Sequence, residues 1–93
     1  MSKIEDAIRE IGFCGETARQ YEHTRQGARA LGALRQMKDL LTNPTNENID
    51  QCISIIEMGE EALSSHRYMS VVDELLSHLS KAKENLRKAA EKI

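Results

Sequence analysis

Histidine, cysteine and carboxylate positions are the residues in this chain that could carry chemistry, and their spacing decides against most of it. Three histidines, His23, His66 and His78, stand far apart. A di-iron bundle needs Glu-x-x-His, because that spacing aims two ligands at one metal from one helix face. The residues three before these histidines are Gln20, Leu63 and Leu75, so the motif is absent. Zinc sites draw on close ligand pairs, and Cys14 and Cys52 are isolated both from each other and from the histidines. No metal or cofactor is therefore expected.

Nucleophilic and phosphate chemistry fare the same way. The chain has no Gly-x-Ser-x-Gly elbow. Its glycine pairs, Gly12/Gly15 and Gly27/Gly32, lack the Lys-Ser/Thr of a phosphate loop. Arg19 and His23 are too close to match the arginine–histidine spacing of helical ribonucleases. The expectation is a protein that is not an enzyme.

Both cysteines lie on apolar stripes, where a reduced thiol behaves as a small hydrophobe. A reduced, cytoplasmic protein is the expectation, with a Cys14–Cys52 disulfide open if the two stripes face each other. The N-terminus carries no hydrophobic signal region, and no apolar run is long enough to span a membrane. The small size suggests a bacterial or phage accessory protein.

The elements that must position these residues read as helical. Ninety-three residues make one domain, and three aromatic residues, Phe13, Tyr21 and Tyr68, leave the packing to Leu, Ile, Ala and Met. Val72, Leu75, Leu79, Ala82, Leu86, Ala89 and Ile93 recur at alternating spacings of three and four. That is a coiled-coil seam, which must lie against another helix. We expect it to mediate self-association.

The first helix is predicted over 2–41, with Ser2 as its cap and Glu5 completing a capping box. Its seam runs Ile4, Ala7, Ile11, Cys14, Ala18, Tyr21, then slips phase near Ala28 before Leu31, Leu34 and Leu41. Unbroken, it would be about 60 Å long. Gly12 and Gly15 would permit a kink. A loop at 42–46 around Pro44 precedes a helix at 47–65 carrying Ile49, Cys52, Ile53, Ile56 and Leu63, with His66 on the same stripe. A third helix at 68–92 is out of phase with the second, so a turn near 64–70 is expected, with Ser70 and Asp73 as the new cap. The small residues from Gly27 to Ala33 suggest a tight helix crossing. The predicted architecture is all-α, an antiparallel helical bundle, built as a long hairpin or a three-helix chain and completed by homodimerisation.

Charge is unevenly spread. The net charge is −2, but residues 39–66 hold six acids and no Lys or Arg, while both flanks are mildly basic. Mutual neutralisation between packed segments is the plain reading. The functional reading is a protein–protein interaction module, a small adaptor, regulator or inhibitor, whose partner-binding candidates are Phe13, Asp50, Glu57, Glu60 and Glu61. Phe13 lies off the first seam, where the flanking glycines could tuck it into the core. The rival reading is a nucleic-acid-associated factor using Arg25 and Arg29, one helical turn apart.

Overall fold

A computed structural model describes residues 2–91 as four α-helices: α1 (Lys3–Arg19), α2 (Arg25–Leu40), α3 (Asn46–Leu63) and α4 (Ser70–Ala90). No strand occurs among the described residues. Each helix packs on its sequence neighbours, and α1 with α4 closes the ring through the most extensive interface. Cross-helix contacts fix the directions. Glu10 meets His78 and Cys14 meets Leu75, so α1 and α4 are antiparallel. Met37 meets Cys52, and Glu57 and Glu60 meet Arg87 and Lys83, so α3 opposes both α2 and α4. The result is an up-down-up-down bundle.

Local sequence explains where the first three helices start. The Ser2 hydroxyl accepts from the Glu5 amide at 3.1 Å, as the expected cap requires, but the Glu5 carboxylate takes the Ser2 hydroxyl proton at 3.0 Å in place of the Ser2 amide bond of a capping box. The Thr24 hydroxyl accepts from the Gly27 amide at 3.0 Å and donates to the Tyr21 carbonyl at 2.7 Å. Thr45 caps α3 through the Asn48 amide. The Asn48 side chain then reaches back to the Leu40 and Asn43 carbonyls, at 3.2 and 2.7 Å. These bonds add to the backbone bonds that both carbonyls already accept and tie the end of α2 and the loop after it to the first turn of α3.

The single long helix expected over 2–41 is two helices. α1 ends without Gly or Pro: Gln20, Tyr21 and Glu22 bond back three residues, tightening the final turn. Thr24 is extended, with φ −95° and ψ 158°, and restarts the chain as an N-cap. The phase slip near Ala28 is the trace of this reversal. The molecule is accordingly 36 Å in its longest dimension, well short of the expected rod. The break falls at residues 20–24; Gly12 and Gly15 lie inside continuous helix, in open space. Nor does a tight crossing occupy the small-residue stretch: Gly32 also faces open space, and Gly27 serves the turn instead.

The 64–70 turn is present as a 3-10 turn at Ser64–His66 followed by bends. Its cap differs from expectation. Met69 takes the N-cap position without a side-chain hydrogen bond, and Ser70 is the first helical residue.

The core draws on every helix: Ala7, Ile11, Cys14 and Ala18; Leu34 and Met37; Ile49, Cys52 and Ile56; Leu79, Ala82, Leu86 and Ala89. No buried polar or charged residue occurs among the described residues. Cys14 on α1 meets Leu75 on α4, and both helices bring small side chains to the core, Ala7 and Ala18 from α1 and Ala82 and Ala89 from α4. Each fully buried Leu or Ile contributes about 1.5–3 kcal/mol over exposure.

The candidate surfaces of the bundle

The seam predicted to join two copies is spent inside one chain. Val72, Leu79, Ala82, Leu86 and Ala89 are buried and Leu75 is partly buried, within the bundle formed by a single chain. Ile93 lies outside the described residues. Leu76, off the predicted seam, is also buried. The α4 stripe therefore closes an intramolecular core, and association of copies would need a different surface.

One polar cluster crosses the α1–α4 interface, and the sequence reading did not find it. His78 Nδ1 and Glu10 Oε2 lie 2.5 Å apart, with side chains 21% and 18% exposed. The Phe13 ring covers the imidazole, centroid to centroid at 5.2 Å. Cys14, one turn beyond Glu10, lies under the same cluster and donates its thiol proton to the Leu75 carbonyl at 3.9 Å. The residues sit 68 positions apart in the chain, so the pairing carries no local signal. Only the shared seam of α1 and α4 could have suggested it.

A cysteine, a histidine and a carboxylate close together invite comparison with a thiol nucleophile and its base. The geometry does not support that chemistry. Cys14 is about 1% exposed, and its thiol points at a main-chain carbonyl. Burial pushes its pKa up to about 12, the nearby Glu10 carboxylate adds to the rise, and a backbone hydrogen bond offsets part of it. A reactive thiol needs the opposite shift. Cys52 is likewise buried, with its pKa raised to about 11 by desolvation, and donates to the Met37 carbonyl. Both cysteines are free. No group of three or more His, Cys, Asp or Glu positioned to hold a metal ion occurs among the described residues.

The partner-binding candidates separate. Phe13 is 42% exposed: the glycines beside it do not fold it into the core, and it packs over His78 instead. Glu60 pairs with Lys83 at 2.6 Å and Glu57 with Arg87 at 3.5 Å, so both tie α3 to α4. Asp50 and Glu61 are exposed. Asp50 lines a shallow open groove with Gln36, Glu47, Gln51, Ser54 and Ile55. Arg25 and Arg29 are exposed on α2. His66, on the apolar stripe predicted for the second helix, is exposed on the 3-10 turn beside Tyr68.

A feature missed from sequence concerns where exposed apolar side chains gather. Antiparallel topology puts the 20–24 and 64–69 turns at the same end of the bundle. Phe13, Tyr21, Met58, Tyr68 and Met69 are the exposed large hydrophobic residues among those described. Tyr21, Tyr68 and Met69 lie in those two turns, and Phe13 and Met58 lie in the halves of α1 and α3 nearest them. Tyr68 is the most exposed, at 81%. No helix among the described residues is long and apolar enough to cross a membrane. Comparison with known protein families, curated proteins and solved structures finds no match to this chain.

Proposed function

We propose that this protein is a non-enzymatic protein–protein interaction module, a small adaptor, regulator or inhibitor that binds its partner through the end of the bundle bearing the 20–24 and 64–69 turns. The observation that carries this reading is the gathering, in that half of the molecule, of the five exposed large apolar side chains among the described residues. Aromatic residues dominate interface hot spots, and methionine adapts to irregular apolar surfaces. Tyr68 and Tyr21 present apolar rings with hydroxyls that can find partners at a wet rim. The opposite end, with the 41–45 loop, exposes no comparable residue among those described.

Glu61 rims the same half and extends the acidic candidate set into the proposed contact. The two buried, reduced thiols support a cytoplasmic setting as part of the proposal. Nucleic-acid binding through Arg25 and Arg29 is the weaker reading. Those arginines lie beside the exposed α3 carboxylates Glu47, Asp50 and Glu61, which would repel a phosphate backbone.

A photo-crosslinking residue at Tyr68, with a control at Thr45, tests the proposal in cells of the source organism. The expected result is a discrete heterologous adduct from position 68, lost on adding Tyr21→Ser and Met69→Ser, and none from position 45. Equal labelling from both ends, or none from position 68, rejects it.

A further inference from the structure

The outward surfaces of α2 and α3 carry opposite charge. α2 holds Arg25, Arg29, Arg35 and Lys38 against Asp39 alone; α3 holds Glu47, Asp50, Glu57, Glu60 and Glu61 and no Lys or Arg. The helices are neighbours, so their charges would be expected to pair across the shared boundary. Among the described residues they do not. The acidic helix makes its ion pairs with α4, and no ion pair joins α2 to another element.

Helical spacing accounts for this. Arg25, Arg29 and Gln36 fall on one exposed stripe of α2, and Glu47, Asp50, Ser54 and Glu61 on one exposed stripe of α3. Between the stripes runs the shallow groove lined by Gln36 and by the first three turns of α3, including the partly buried Ile55. Met58, one turn beyond Ile55, is 70% exposed at its edge. A basic stripe, a partly apolar groove and an acidic stripe thus lie side by side.

We infer that this face binds a second copy of the chain about a two-fold axis parallel to the bundle, laying α2 of each copy over α3 of the other. An isologous interface must be complementary to itself, and a surface carrying both signs in adjacent stripes meets that condition. Two orientations of the axis would place the faces together. An axis across the helices sets α2 on α2 and α3 on α3, opposing like charges. An axis along them exchanges the stripes and pairs opposite charges, while preserving height along the bundle.

Register then names the contact. Met37 opposite Cys52, and Leu40 opposite Asn48, place Arg29 level with the turn from Glu57 to Glu61. In the dimer Arg29 meets Glu61 of the partner subunit, and Met58 fills the groove edge where the four helices meet. Charges so arranged steer association and lose strength as salt screens them. Met58 and Glu61 also border the Tyr21–Tyr68 end, but self-association is read by solution mass and the proposed function by crosslinking at Tyr68, so the failure of one is distinguishable from the failure of the other.

The test is solution mass, by light scattering and sedimentation, at about 10 mM and about 150 mM ionic strength, where the Debye length is about 30 Å and about 8 Å. The parent chain should show twice its 10.5 kDa mass at low salt and dissociate toward 10.5 kDa at higher salt. Arg29→Glu and Glu61→Arg, both at exposed positions, should each remain helical and weaken self-association about tenfold or more. An equimolar mixture of the two variants should associate with near-parental affinity, because each then supplies the charge the other lacks at both contacts. A parent chain monomeric at low salt overturns the inference. So does a dimer indifferent to both substitutions, or a mixture that associates no better than its components.

Discussion

Gly27 shows how one residue can decide a chain reversal. A Cβ at this position would lie 1.8 Å from the Tyr21 carbonyl oxygen and 2.4 Å from its carbon, both backbone atoms that cannot swing aside. Gly27→Ala should therefore destabilise the protein by about 1–3 kcal/mol through forced backbone shifts. Gly12→Ala and Gly32→Ala, in open helical positions, should stabilise by about 0.5–1 kcal/mol each. Urea midpoints of the three variants check the contrast; equal effects would remove the special role of Gly27. The buried thiols give a second prediction. Below pH 9 both Cys14 and Cys52 are neutral in folded and unfolded chains alike. Above 9.0, the ordinary thiol value, the unfolded chain loses its thiol protons first, since burial raises the folded values to about 12 and about 11. Stability should fall from pH 9 upward, and the slope should flatten as the folded thiols titrate in turn. Unfolding curves between pH 8 and 11 for the parent and a Cys14→Ala/Cys52→Ala variant measure this contribution, and identical alkaline slopes would refute it.

At the scale of the helix, periodicity was the readable quantity and connectivity was not. The α4 stripe, the Ser2 cap, the loop at Pro44 and the turn near 64–70 were all legible, because each rests on residues within a few positions of one another. The reversal at 20–24 was visible only as a slipped phase. It has no Gly or Pro within it, and its cap, Thr24, sits among charged residues that also suit an exposed helix face. The Met69 cap has no side-chain hydrogen bond, so no sequence signature was available to find. The seam's role follows from its burial. Leu79→Asp and Leu86→Asp each put an unpaired carboxylate into a core without polar partners, at a cost of about 3–5 kcal/mol. Because the stripe closes the chain on itself, these variants should lose far-UV helical signal outright, even at concentrations where the parent is monomeric. Full helicity in both would show that α4 does not pack through this stripe.

For the whole molecule, the candidate surfaces depended on facts that composition does not hold. The acidic middle segment was evident, yet which neighbour neutralises it was not. α4 takes Glu57 and Glu60, and the bases of α2 are left facing outward. Grouping of Tyr21 with Tyr68 required knowing that two turns 40-odd positions apart meet at one end, which follows only once α1 is separated from α2. The ring closure between α1 and α4 has a consequence for the chain as it is made. The buried stripe of α1, Ala7 to Ala18, is covered chiefly by a helix that begins at Ser70. At about 5–20 residues per second the ribosome needs roughly 3–10 s to synthesise the intervening segment. During that interval α1 must either hold an incomplete pairing with α2 or be shielded by another protein. The nascent chain, more than the finished bundle, is the form of this protein in which the α1 stripe lacks its main cover.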